Sequence, residues 1–249
     1  LGHLAFDFWI GLRGVLGIPS SKKGNFGLKR FGYYFFRYWV AIGLFCYYRK
    51  IKAIGRENIP NDEPVLLLSN HQNALLDILL IATNCQLKPW FLTRADIFKN
   101  KFFKPLFTFL QMLPIYRIRD GKASLSKNAE IFKKCATLLN QRQAILLFPE
   151  ANHNLERRVR ALSKGFTRLI FSALAENQKL DIKLVPIGQN YVRATTFPDV
   201  ACIYYGTPIA VQPLLQEEGR QSVINIKAAV SKALQRLTTH FDDSFPYQE

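Results

Sequence analysis

Apolar positions follow two regimes along this chain, and the change comes near residue 50. Leu4 to Ile18 is apolar and aromatic, broken by Gly11, Gly14 and Gly17, and Pro19 to Asn25 reads as a polar, basic turn. Phe31 to Tyr48 follows, almost wholly apolar over eighteen residues, interrupted by Arg37 and closed by Arg49 and Lys50. A helix of that length spans roughly 27 Å, short of a ~30 Å hydrocarbon core. Its aromatic residues suit a headgroup interface better than a bilayer centre. The pattern therefore predicts a monotopic helical hairpin over residues 1–50, lying in one leaflet, in preference to a full span. A buried soluble helix is the other alternative, and the basic flanks weigh against it.

After Ile54 and Gly55 the texture changes to short apolar runs bounded by Pro, Asn or Gly. Val65–Ser69, Ala144–Phe148, Leu184–Ile187 and Ala201–Tyr205 read as buried strands. Between them Ala74–Thr83, Leu125–Asn140, Lys164–Glu176 and Ile224–Phe241 read as helices. In the last, Ile226, Val230, Leu234, Leu237 and Phe241 recur at spacings of three or four, giving one apolar stripe. Alternating strands and helices predict an α/β domain over residues 51–249, with a largely parallel sheet covered by helices.

Charge adds a constraint on partners. The 34 Lys and Arg against 18 Asp and Glu give a formal net charge of +16, which calls for an anionic partner. No zinc or base-stacking motif accompanies the charge, so nucleic acid is not expected. An anionic membrane, a phosphorylated substrate or an acidic carrier fits better. The four cysteines (Cys46, Cys85, Cys135 and Cys202) are far apart, with no Cys-x-x-Cys pair. That spacing argues against zinc and against a small disulfide scaffold. With no metal or redox cofactor expected, the chemistry must come from side chains.

Three segments carry candidate chemistry. Ser69–Asp77 follows the first buried strand directly, and open α/β sheets place their sites at the carboxyl ends of strands. There Asp77 can accept one ring N–H of His71 and leave the other nitrogen free to take a hydroxyl proton. A helix-start histidine beside an incidental acid is the plainer alternative. In Ala144–Asn154 a strand runs into Pro149 and Glu150, where Glu150 can meet a substrate hydroxyl or anchor the turn. In Leu113–Asp120, Arg117 and Arg119 flank an apolar position, and Arg suits bidentate phosphate binding. A pair of solvated charges is the alternative there.

Taken in order, Asn70-His71 with Asp77, Pro114–Arg117, Phe148-Pro149-Glu150 and Val185-Pro186-Ile187 resemble the four blocks of the lysophospholipid/glycerolipid acyltransferase family, over about residues 50–215. Lys164-Gly165 also follows Glu150 at the family's interval. The resemblance implies His71 as general base and Asp77 as its orienting partner. It further implies Arg117 as a phosphate contact and Glu150 as an acceptor-site residue. Arg94 stands where many members carry a Lys, and Lys164 is a further anion contact. The implied reaction moves an acyl chain from an acyl-carrier protein or coenzyme A thioester to a lysophospholipid, at the cytoplasmic face of a membrane. The leading acceptor is 1-acyl-glycerol-3-phosphate, giving phosphatidate.

Two features depart from the family pattern. Five residues, rather than four, separate His71 from Asp77, and one extra residue rotates a helical position by about 100°. After Glu150, Ala151, Asn152 and His153 replace the usual Gly-Thr-Arg. A phosphate-binding Arg is thereby lost, with His153, Arg157, Arg158 or Arg160 as stand-ins. These departures keep glycerol-3-phosphate or another lyso-lipid open as acceptor, and a non-catalytic lipid-binding protein open as a class. A serine hydrolase is not expected, because no Gly-x-Ser-x-Gly elbow is present.

Overall fold

The computed structural model describes residues 28–99, 107, 109–116, 126–150 and 155–241. Its elements are α1 (Leu28–Tyr47), β1 (Tyr48–Ile54), β2 (Val65–Ser69), α2 (Ala74–Asn84), β3 (Trp90–Arg94), β4 (Met112–Ile115), α3 (Lys127–Asn140), β5 (Ile145–Leu147), α4 (Gly165–Glu176), β6 (Lys183–Tyr191), β7 (Asp199–Tyr205), β8 (Ile209–Ala210) and α5 (Gly219–Leu237). The strands form one eight-stranded sheet in the order β1-β7-β6-β2-β5-β3-β4, with β8 alongside β6. Strands β2 to β6 run in one direction, and β7 turns back antiparallel to β6. The α/β, mostly parallel architecture is therefore as the apolar pattern predicts.

The uninterrupted apolar character of β2 has a simple cause: all five of its residues are buried, because both faces of the strand are covered. Leu66 and Leu68 join a core that includes Cys135, Phe166, Leu169 and Val230 from α3, α4 and α5. Val65 and Leu67 face the other way, into a core with Leu44 of α1 and Leu80 and Ile81 of α2. The stripe expected on the last helix holds for Ile226, Val230 and Leu234, all fully buried. That helix ends at Leu237, leaving Phe241 outside it and exposed.

Strands β1, β3, β4 and β8 were not anticipated. β1 alternates cations with small or branched apolar residues because it is the edge strand, covered on one face only. β4 contains Pro114, which removes a ladder donor, and it too sits at an edge. The expected division at residue 50/51 falls inside β1. The apolar segment expected over Phe31–Tyr48 is α1, and it runs directly into that strand. The other half of the expected hairpin, Leu4–Ile18 and its basic turn, lies outside the described residues. Among the described residues no helix is long and apolar enough to cross a membrane.

Arg37, the one cation inside the apolar run, has a structural purpose. It is buried, and its Nη2 donates to the carbonyls of Thr83 at 2.9 Å and Cys85 at 2.6 Å. These carbonyls close the C-terminal end of α2, where a cation is favoured. Arg37 thus ties α1 to α2.

The C-terminal end of α5 is seated just as tightly. A Cβ at Gly188 of β6 would lie 2.3 Å from the Leu237 carbonyl oxygen, which is backbone and cannot move freely. Gly188→Ala is expected to destabilise the fold by roughly 1–3 kcal/mol, as overpacking does. A fall in the urea midpoint with an unchanged m value would show it.

Candidate active site

Where β2 ends, its register with β6 is prolonged by a side chain. Asn70 Nδ2 donates to the Gln189 carbonyl at 2.9 Å, and the Gln189 amide donates back to Asn70 Oδ1 at 2.7 Å. This reciprocal pair carries the next residue, His71, to the carboxyl edge of the sheet. His71 Nδ1 lies 2.7 Å from Asp77 Oδ2. The same oxygen accepts the backbone amides of Gln72 at 2.9 Å and Asn73 at 2.7 Å.

The extra residue between His71 and Asp77 is absorbed outside the helix. Asn73 precedes α2 with a non-helical backbone, and Ala74 takes φ 40°, in the left-handed region that alanine seldom enters. Ala74 opens α2 in a tight turn over residues 73–76, closed by the Leu76 amide on the Asn73 carbonyl at 2.9 Å. Asp77 therefore sits in the first turn of α2, and its carboxylate folds back onto the residues just before the helix. That end of a helix favours a negative charge.

Asp77 is completely buried, and its second oxygen is held too. Tyr191 Oη, at the end of β6, donates to Asp77 Oδ1 at 2.5 Å. Burial first, then the Asp77 carboxylate beside it, pushes the Tyr191 phenol well above its ordinary range, so it remains an O–H donor. With Nδ1 engaged by Asp77, His71 presents Nε2 away from the carboxylate. The ring is also stacked on Phe148, with centroids 4.1 Å apart.

Glu150 lies two residues beyond Phe148 and is buried. Its Oε2 is 3.4 Å from Arg160 Nε, and among the described residues its buried Oε1 has no hydrogen-bond partner. Burial lifts the carboxyl to about 7, against the opposing pull of Arg160 and His71. Of the three arginines considered as stand-ins for the missing one, Arg160 is the one placed beside Glu150. Arg157 instead donates to the Val192 carbonyl at 2.9 Å.

The remaining predicted site residues are less closely gathered. Arg94 ends β3 at the same sheet edge, but its guanidinium is exposed and forked onto the Asp96 carboxylate. Lys164 is exposed at the N-cap of α4. Arg117 and His153 lie outside the described residues. The chain leading to Arg117 is fixed, however: Asn128 Oδ1 accepts the Tyr116 amide at 2.9 Å, and Asn128 Nδ2 donates to the Tyr116 carbonyl at 2.8 Å.

Residues 50–190 match the family model for acyltransferases, more than half of the chain. This chain belongs to the acyltransferase family. The crystal structure of the 1-acyl-sn-glycerophosphate (LPA) acyltransferase PlsC from Thermotoga maritima is similar in fold, with a TM-score of 0.62 over 96% of each chain at 14% identity. By sequence, no curated protein matches the chain. In this acyltransferase Tyr191 stands one residue past the matched segment, and sequence reasoning missed it. Gln189 and the stacking role of Phe148 were missed as well. The only hint was a polar Gln-Asn-Tyr ending to an apolar strand.

The raised carboxyl of Glu150 has a consequence for stability. In the unfolded chain it titrates near 4.5, and in the folded acyltransferase near 7. Folding is therefore favoured by the protonated form below about pH 4.5, and that advantage is lost as pH rises through about 7. Glu150→Gln cannot ionise, so it should gain up to about 3 kcal/mol on the parent between those pH values. Denaturant melts of both proteins from pH 4.5 to 8 test this, and parallel curves would refute it.

Proposed function

We propose that this acyltransferase moves a fatty acyl chain from an acyl thioester to the hydroxyl of a lysophospholipid, with His71 as general base. The observation that carries the reading is the His71 Nδ1 to Asp77 Oδ2 contact of 2.7 Å on a buried carboxylate. It favours the tautomer with a proton on Nδ1 and a lone pair on Nε2. The acceptor oxygen attacks the thioester carbonyl carbon while its proton passes to Nε2. Collapse of the tetrahedral intermediate breaks the C–S bond, and the leaving sulfur takes the proton from His71. One ester and one thiol result, and the balance needs neither metal nor redox group.

Glu150 and Arg160 are assigned to the acceptor side, within electrostatic reach of His71. The free Oε1 of Glu150 is suited to meet an acceptor hydroxyl, and Arg160 a phosphate oxygen. Arg94, Arg117, His153 and Lys164 are proposed as further anion contacts around the same edge. The leading acceptor is 1-acyl-glycerol-3-phosphate, the substrate named for the Thermotoga maritima protein. Glycerol-3-phosphate or another lyso-lipid is second, because the replacement of the usual Gly-Thr-Arg by Ala151, Asn152 and His153 removes a phosphate-binding Arg. Either an acyl-carrier protein or coenzyme A can supply the thioester.

Purified protein should transfer a labelled acyl chain to lysophosphatidate. His71→Ala should lower the rate by about 10²–10⁴, the range for a lost general base. Tyr191→Phe leaves one oxygen of a buried carboxylate short of a donor. It should lower kcat by roughly tenfold or more, with little change in KM. Wild-type turnover in the His71→Ala protein, with folding confirmed by circular dichroism, would end the proposal.

We further propose that α1 and residues 1–27 hold the enzyme on the cytoplasmic face of an anionic membrane. Phe35 and Trp39 lie on the side of α1 opposite Tyr33, Arg37 and Leu44, with Phe36 on its flank, and all three are exposed, Trp39 to 57%. An apolar, aromatic outer face with basic neighbours suits a lipid interface. Phe35→Ser with Trp39→Ser should sharply reduce co-sedimentation with vesicles containing phosphatidylglycerol, with activity on a soluble short-chain acceptor retained. Equal sedimentation of parent and variant would exclude α1 as the contact.

A further inference from the structure

Among the described residues, the sheet beyond β6 is covered on one side only. On the face shared with α3, α4 and α5 the cover stops at the last turn of α5, and β7 and β1 continue past it. Register determines what this bare face presents. Lys50 lies beside Val200, Lys52 beside Cys202 and Ile54 beside Tyr204, and residues in register share a face. The three residues of β1 are exposed, and Val200, Cys202 and Tyr204 are half-buried.

The opposite wall is the end of α5. Asn190 holds it there, Nδ2 donating to the Leu237 carbonyl at 2.9 Å and Oδ1 accepting the Thr239 amide at 2.8 Å. Arg236 and Arg157 line this side of a cleft of about 500 Å³ whose floor is Val200, Cys202 and Tyr204. Among the described residues, none of Lys50, Lys52, Arg157 and Arg236 pairs with a carboxylate. Lysines on an edge strand also discourage strand pairing, but that role does not account for Arg236 across the cleft, nor for the donors of Arg157 beyond the one on the Val192 carbonyl.

We propose that this cleft binds the nucleotide end of a coenzyme A thioester, with its phosphates among Arg157, Arg236 and the two lysines and its base over the Tyr204 floor. The inference builds on the acyltransferase reaction and on a thioester donor, and is independent of which acceptor is used. A cavity of this volume suits a small molecule. A carrier protein would instead need an interface of about 800 Å² on this chain. The near end of the cleft is lined by Asn190 and Val192, the neighbours of Tyr191. These residues lie at the end of β6, which runs parallel to β2, so the cleft opens at the sheet edge where β2 delivers His71.

The test titrates the full chain calorimetrically with coenzyme A and with adenosine 3′,5′-bisphosphate, in the parent and in Lys52→Glu/Arg236→Glu. Neither side chain has a described hydrogen bond or ion pair to lose, and a matching thermal melt confirms the fold. Both ligands should bind the parent, and the charge reversal should weaken both at least tenfold. The KM for acyl-coenzyme A should rise by a similar factor, with kcat and the acceptor KM unchanged. The bisphosphate should compete with the donor. Equal affinity in parent and variant would overturn the proposal. So would a parent that binds neither nucleotide while the charge reversal raises the KM for an acyl-carrier protein donor, which would give the face to an acidic protein. Nucleotide binding lost in the variant supports the cleft even if lysophosphatidate is not acylated, so the two readings fail separately.

Discussion

The buried carboxylate of Asp77 is the constraint that organises this enzyme. A carboxylate shut away from water is costly unless its oxygens are satisfied. Four donors satisfy it: the His71 ring, the amides of Gln72 and Asn73, and the Tyr191 hydroxyl. They come from the loop after β2 and from the end of β6, while Asp77 itself belongs to α2. Correct folding of those three segments and correct orientation of His71 are consequently one event. The Asn70–Gln189 pair strengthens the link by holding β2 and β6 together one residue before the histidine.

Seen this way, the left-handed Ala74 follows from the spacing. A carboxylate that must reach back to His71 cannot tolerate a 100° rotation, so the surplus residue has to leave the helical path. It does so at Asn73 and Ala74, where α2 starts and its backbone is not yet regular. The local strain of a non-glycine residue at φ 40° is offset by the amide bonds from Gln72 and Asn73 that the turn makes possible.

Much of this was legible in the sequence, for identifiable reasons. Strands buried on both faces, such as β2 and β5, announce themselves as short apolar runs, and the ordered blocks located His71, Asp77 and Glu150. The edge strands β1 and β4 were hidden because one is half basic and the other contains a proline. Tyr191 was hidden for a different reason. It lies 114 positions from the carboxylate it holds, so no spacing rule connects the two. Arg37 was visible only as an interruption, since its partners are backbone carbonyls that any sequence would supply. The pairing of Arg94 with Asp96, two residues away, was available from the sequence and was outweighed by the family position.

Helix α2 joins the His71–Asp77 pair to α1. At its N-terminal end Asp77 brings negative charge where the helix dipole favours it, and at its C-terminal end Arg37 brings positive charge to the last carbonyls. The helix is therefore held at both ends by charged side chains, one belonging to the active site and the other to α1. Because Arg37 is buried on the inner side of α1, the outer side with Phe35 and Trp39 is fixed in direction relative to His71. Whatever takes up those aromatic rings is therefore held in a fixed orientation relative to His71. One rigid element thus carries the carboxylate that orients His71 at one end and the seat of α1 at the other.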